Sequence, residues 1–441
     1  MLTRRAAFTA ALAALGSTAL PATTATALPR APAAGTPAPH ATPPRPAPSR
    51  PAGARSAGRP LAATLPRPTG RHPVATLSAP LTDTTRTDPF APHPGPRELM
   101  VQLWYPATTA PPRPSAPYTD PGTAAALEVA WGMRPGVLEA VTTHARTGDL
   151  SSPGARTGGP GAGGPRTGSP GAGGPRTGGR PAPGTRTAVV LSHGRGASRA
   201  LTSGLAEELA SRGHLVAAVD HTYDAAAVRF PDGRLVRGAL PAEPDDWDAQ
   251  DRLEVGVRAA DLRCVADALC RSRRPLAGVA VRRVGLLGHS LGGAAAAEAM
   301  RLDRRFVAGL DLDGGLFGTT VPETGLDRPF LLLTSSPDHP TWARWRAHHR
   351  HWGRHLHLAG GGHLTATDVP ALAHAAGLRE RWPEPLYAEF LGTLAPARAA
   401  AVTRAYTTAF FDKFLLGHRR PLLDGPVPRY PEIEFRWTRG R

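Results

Sequence analysis

The chain is 441 residues long, with 49 glycines, 49 prolines, two cysteines and a formal charge of +17. That length fits one large domain or two of medium size, and two cysteines are too few for a disulfide scaffold. The charge does not mark a nucleic-acid binder: Lys413 is the only lysine, and much of the arginine lies in Pro/Gly-rich stretches and scattered positions. The basic character reads as a surface property that suits anionic lipid surfaces or anionic substrates.

Residues 1–27 have the form of an export signal. Arg4 and Arg5 precede an apolar run at 6–20, and "ATA" at 25–27 offers a small-x-small cleavage site. The run is shorter than the roughly 20 apolar residues of a membrane span. The arginine pair leaves the twin-arginine route open beside the general one, and a secreted product is expected. Residues 28–73 form a Pro/Ala/Arg-rich tract with almost no large apolar side chains, so disorder is expected there. A single folded domain is expected over 74–438. It is interrupted at 151–186 by the tandem "PGAGGPRTGS", "PGAGGPRTGG", which has no apolar positions to stack and reads as a flexible loop insertion.

Within the domain, "LMVQLWYP" (99–106) alternates as a strand, and "TAVVLSHGRG" (187–196) is a β-rich run ending in a glycine-bearing turn. A helix over 203–213 and a strand over 214–221 follow. Residues 240–255 break the rhythm and read as part of a cap or as a solvent loop. Next come a helix (254–272), a strand (281–289), a helix (290–302) and two strands (306–315 and 329–336). A Trp-bearing helix (341–352), a strand (354–363) and a long C-terminal helix (397–417) complete the series. Apolar strands alternating with helices predict an α/β protein with a mostly parallel central sheet and helices on both faces. Ligands in such folds bind at the carboxyl ends of the strands.

Cys264 and Cys270 fall six apart in one helix, on different faces, so two free, mostly buried thiols are expected. The histidine clusters lack a helical pair with a carboxylate at zinc spacing. No metal site and no cofactor are expected.

The chemistry concentrates at strand ends. "VGLLGHSLGGAAAAEAM" (284–300) runs strand, tight turn, small-residue helix. Gly288 and Gly292 flank Ser290 and, with His289, form a turn in which side chains would collide with neighbouring backbone. A serine there is a candidate nucleophile, at a helix N-terminus that favours a developing oxyanion. His363, just past the last predicted parallel strand and after Gly360–Gly362, is the candidate base. Asp313, before Gly314 and Gly315, is the favoured orienting acid, and Asp338 at the end of the following strand is the alternative. Asp311 lies inside its strand, where a structural role is expected. "HGRG" after an early strand supplies the Arg195 N–H as an oxyanion donor to pair with that of Leu291, with His193 shaping the loop. Trp342, Trp345 and Trp352 are candidates for lining an acyl pocket, although their helical setting favours packing.

Five of these stretches together ("SHGRGASR", "LASRGHLVAAVDH", "GHSLGG", "GLDLDGGLFG", "LAGGGHLTATD") resemble the platelet-activating-factor acetylhydrolase family of plasma, or type II, form, and in particular its bacterial secreted lipase and esterase branch. Residues 82–107 are similar to that family's opening strand region. The resemblance runs in order over nearly all of 75–420, except for the insert at 151–186. It implies an α/β-hydrolase fold and places the acid directly after the strand that follows the nucleophile helix, which is Asp313. It implies a serine ester hydrolase working through an acyl-enzyme on lipid or short-acyl esters, a phospholipid acetyl ester among them. The expected product is a monomer with a small-molecule or lipid ester substrate, no nucleic-acid partner and peripheral contact with lipid at most. Other α/β-hydrolase chemistry (thioester, peptide or polyester cleavage) and a non-catalytic secreted binding protein are the alternatives.

Overall fold

The computed structural model describes residues 62–108, 113–148, 187–271 and 281–440. The expectations for 1–27, for 28–61 and for the insert at 151–186 therefore fall outside the described residues.

The chain opens with an antiparallel pair, β1 (Val74–Thr87) and β2 (Pro96–Pro106). Then come α1 (Pro121–Ala130), the two-residue β3 (Arg146–Thr147) and β4 (Thr187–Ser192). Next are α2 (Ser203–Ser211), β5 (Leu215–His221), a small hairpin of β6 (Ala227–Arg229) and β7 (Leu235–Arg237), and α3 (Trp247–Cys270). The core continues through β8 (Arg283–His289), α4 (Leu291–Leu302), β9 (Phe306–Leu312), α5 (Val321–Thr324) and β10 (Phe330–Thr334). After α6 (Pro340–His348) and β11 (Gly353–Leu358) come α7 (Val369–Ala376), α8 (Leu378–Arg381), α9 (Glu384–Leu391), α10 (Pro396–Leu416) and β12 (Ile433–Arg439).

One ten-stranded sheet runs β12-β11-β10-β9-β8-β4-β5-β2-β1-β3. Its six central strands, β11 to β5 in that order, are all parallel, while β12 pairs antiparallel with β11, β2 with β5 and β1 with β2, and the short β3 lies parallel to β1. The central strands are apolar on both faces because both faces are covered. Along β4, Ala188 and Val190 join the cluster beneath α3 and α4, whereas Val189 and Leu191 join the one beneath α2 and α10. β5 divides the same way, with Leu215, Ala217 and Val219 against Val216 and Ala218. This period-two split is what a strand packed on both sides requires. Each large side chain buried this way, such as Phe410 or Phe411, contributes about 1.5–3 kcal/mol. The arrangement aims the carboxyl ends of β4, β8, β9, β10 and β11 at one edge, where the site lies.

Several expectations are corrected. The packed chain begins before residue 74: Ala63 and Leu65 are buried with Tyr118, Leu127 and Trp131, and Thr69 donates to Glu208 through its backbone N–H (2.7 Å) and hydroxyl (2.6 Å). Backbone bonds between Ala63–Leu65 and Thr142, and Arg404 on the carbonyls of Pro66 and Arg67, also hold this stretch. Helix α3 starts at Trp247, with Asp246 as its N-cap residue, so 247–255 is the start of a helix rather than a solvent loop. The two cysteines are free, as expected, but half-buried. The helices over 369–391 carry no period strong enough to announce them, and β12, which does alternate apolar and polar over Ile433–Thr438, is a lone short run after the last long helix. Their apolar residues pack against segments far away in sequence. No helix among the described residues is long and apolar enough to cross a membrane.

Candidate active site

The turn between β8 and α4 holds Ser290 at φ 56°, ψ −126°, a conformation that costs a non-glycine residue on the order of 1–3 kcal/mol. A Cβ on Gly288 would overlap the carbonyl of Gly292, and one on Gly292 would overlap the carbonyl of Ser192. Those two positions therefore need glycine for space, and the serine between them is pushed out at the sheet edge on the first turn of α4. Three non-glycine residues have positive φ among the described residues: Tyr223, Ser290 and Asp313. All three sit on loops at this edge.

His363 reaches Ser290 from the loop after β11. Its backbone is tied to α9 by His363 N–H to Glu389 O (3.1 Å) and Leu364 N–H to Phe390 O (2.7 Å), and its ring meets the edge of Phe390 at 5.8 Å. The imidazole Nε2 lies 3.0 Å from Ser290 Oγ, and Nδ1 lies 2.7 Å from Asp313 Oδ2. An ionised carboxylate only accepts, so Nδ1 carries the proton and Nε2 is free to accept from the serine. Burial works against ionising Asp313, but the bond and charge of His363 and the donors of Ser335 outweigh it and hold the carboxyl below its ordinary range. Ser335 gives Asp313 its N–H (2.6 Å) and its hydroxyl (2.8 Å).

Asp338, the alternative acid, is exposed and engaged with Arg346 (3.0 Å) and the His339 N–H (2.9 Å), away from His363. Asp311 is fully buried and accepts from Gly314 N–H (2.8 Å). Burial pushes its carboxyl well above the usual range, and through the Gly314 N–H it props the turn beneath Ser290. His289 is buried, which lowers it to about 4. As a neutral ring it donates from Nε2 to the His363 carbonyl (2.8 Å), tying the serine turn to the histidine loop. The three tryptophans are packing residues: Trp342 donates to Gly314 O (2.7 Å), Trp345 packs on Phe330 and Trp437, and Trp352 packs on Phe410 and Phe414.

The 193–196 loop lies over the serine. A Cβ on Gly194 would stand 3.4 Å from Ser290 Cβ. His193 is buried and turned into its own loop, with Nδ1 bonded to Gly194 O (2.6 Å). The backbone N–H groups of Arg195 and Leu291 have no acceptor among the described residues. Sequence reasoning passed over Ser335, and over Asp224, Glu254 and Arg258 around this loop. They sit in α3 and in loops whose composition carries no motif.

A second serine–histidine–aspartate line lies nearby. Ser192 Oγ is 2.8 Å from His221 Nε2, and His221 Nδ1 is 2.9 Å from Asp261 Oδ2. Asp261 also takes Arg97 (2.8 Å) and Arg86 (2.7 Å), which hold it far below its ordinary range despite burial. The His221 side chain is 0% exposed and that of His363 is 24% exposed, so a substrate can reach only the line at Ser290. Among the described residues no group of three or more His, Cys, Asp or Glu side chains could hold a metal ion.

The mostly parallel sheet, the serine turn after β8 and the histidine loop after β11 define an α/β-hydrolase. Residues 181–232 match the family model described as platelet-activating factor acetylhydrolase, isoform II. A probable 1-alkyl-2-acetylglycerophosphocholine esterase of Arthroderma benhamiae is 31% identical over 266 residues, covering 56% of this chain and 65% of that one. The platelet-activating factor acetylhydrolase of Gallus gallus is 26% identical over 187 residues, covering 33% and 43%. The chain thus spans less than two thirds of these curated relatives. A solved ferulic acid esterase from Streptomyces cinnamoneus is 39% identical with a TM-score of 0.70, covering 85% of this chain and 99% of that one. The chain belongs to the platelet-activating-factor-acetylhydrolase-like family of esterases.

Proposed function

We propose that the protein is an exported serine hydrolase of carboxylic esters, acting through an acyl-enzyme on Ser290. The observation that carries this reading is the hydrogen-bonded line Ser290–His363–Asp313, reachable by solvent at one end and buried at the other. Ser290 Oγ attacks the ester carbonyl as His363 Nε2 takes its proton, and Asp313 keeps the ring in the accepting tautomer and stabilises the imidazolium. The N–H groups of Arg195 and Leu291 receive the oxyanion, each donor being worth about 3–4 kcal/mol in the transition state. His363 then protonates the leaving alkoxide, and water, activated by the same ring, releases the acid.

The relatives' names suggest two ester types, an acetyl ester on a glycerophospholipid and a ferulate ester. Initial rates on p-nitrophenyl acetate, p-nitrophenyl decanoate, methyl ferulate and an acetylated glycerophosphocholine test the reading. Hydrolysis of at least the acetate, with a pre-steady-state burst of p-nitrophenol, is expected. Failure on all four beside cleavage of a thioester or a peptide would contradict it. Export rests on Arg4, Arg5 and the apolar run 6–20. N-terminal sequencing of protein recovered from culture medium is expected to start near Leu28, and retention of the full chain inside the cell would refute export.

A further inference from the structure

Helix α3 sends two buried side chains, one turn apart, to the loop that covers Ser290. Arg258 bonds through Nη1 to the carbonyl of His193 and, at 3.5 Å, to Ser192 Oγ, and through Nη2 to the carbonyl of Gly194 (3.3 Å). Its other edge grips Asp224, with Nε and Nη2 each at 2.6 Å. Arg258 overcomes the cost of burying Asp224 and holds that carboxyl at about 2, so the pair is ionised. Asp224 also accepts from Gly196 N–H (3.4 Å) and follows directly on Tyr223, held at φ 66°. Glu254, fully buried, takes the Arg195 guanidinium in a fork, with Nε at 2.8 Å from Oε2 and Nη2 at 2.9 Å from Oε1. Arg195 Nη2 also reaches Pro241 O (2.8 Å), and its guanidinium lies over Trp247 at 5.3 Å.

The geometry of one peptide unit gives these contacts a consequence. The carbonyl of Gly194 and the N–H of Arg195 belong to the same planar trans group and point in opposite directions. Anchoring Gly194 O on Arg258 therefore turns the Arg195 N–H away from α3, and Gly194 lies close enough to the serine turn that a Cβ added to it would stand 3.4 Å from Ser290 Cβ. A cation on the carbonyl also polarises the group and strengthens the N–H as a donor. The Glu254 fork holds the following residue by its side chain, so the peptide cannot roll about the chain axis.

We propose that Glu254 and Arg258 are positioning residues that set the direction of the Arg195 N–H toward the oxyanion, acting through the loop without touching substrate. This rests on the reading of Ser290 as nucleophile and Arg195 N–H as oxyanion donor. Fluorophosphonate labelling of the wild-type protein separates the two: without an adduct on Ser290 that reading fails, and the inference falls with it. With the adduct present, Arg258→Lys, Glu254→Gln and Arg195→Met are compared with wild type on p-nitrophenyl acetate and on a trifluoromethyl ketone, whose hemiketal oxyanion occupies the donor site. Each variant is expected to lower kcat about 10- to 100-fold with KM within about twofold, and to weaken the ketone by the same factor. Glu254→Gln and Arg195→Met both break the Glu254–Arg195 fork, although each side has a contact of its own besides (Gln250 on Glu254, Pro241 O on Arg195), so the double variant is expected to lose clearly less than the product of the two single losses. If Arg258→Lys fails to fold, Glu254→Gln and Arg195→Met decide alone, since Arg195 lies near the surface. Unchanged kcat, retained ketone affinity beside a fall in kcat, or additive losses in the double variant would overturn the inference.

Discussion

Ser290→Ala is expected to lower kcat on p-nitrophenyl acetate by about 10⁵-fold or more and to leave the protein folded. The loss is expected to be large because in the proposed mechanism Oγ is the attacking atom. No neighbouring hydroxyl replaces it, as Ser192 is sealed in the core with its own histidine. What survives is the oxyanion donors and substrate binding, which act only on attack by water. The fold is expected to hold because the strain at Ser290 is in its backbone and alanine removes only a hydroxyl. Loss of the native thermal transition together with activity would leave the expectation unmet, as would activity within a hundredfold of wild type.

Asp313→Asn carries the second largest expected effect, about 10⁴-fold in kcat. The Ser335 N–H donates to Oδ1 of Asp313, so an asparagine here keeps its carbonyl toward Ser335 and turns its NH₂ toward His363 Nδ1. That ring nitrogen must then accept, the proton moves to Nε2, and the imidazole can no longer take a proton from Ser290. Geometry survives while the tautomer is wrong. Asp338→Asn, by contrast, weakens the exposed pairing with Arg346, a contact of the kind worth about 0–1 kcal/mol, and leaves an amide oxygen to accept from the His339 N–H, so kcat is expected to stay within about twofold. Steady-state kinetics on the two variants decide between the carboxylates, and the reverse ranking would move the orienting role to Asp338.

Much of this architecture could be read from the residues alone, and for a definite reason. Strands such as β4 and β8 are apolar on both faces and end in glycine-bearing polar turns, a pattern that few structures other than a covered parallel sheet accommodate. The turn around Ser290 announces itself because Gly288 and Gly292 are demanded by close backbone approach, and His363 because three glycines precede it. The edges were less legible. β12 does alternate apolar and polar over Ile433–Thr438, but one short run after the last long helix does not say which strand it pairs with, and Leu65 packs in a cluster whose other elements lie more than 50 residues away. The surroundings of the 193–196 loop were hidden altogether. Glu254 and Arg258 look like solvated helix charges in sequence, and only the path of the 193–196 loop across α3 buries them.

The most direct test of the account is to identify the residue that becomes acylated. After brief exposure to a fluorophosphonate, peptide mapping by mass spectrometry is expected to find one adduct, on Ser290, and none in Ser290→Ala. No adduct on the folded protein, or one on Ser192 or any other side chain, would contradict it.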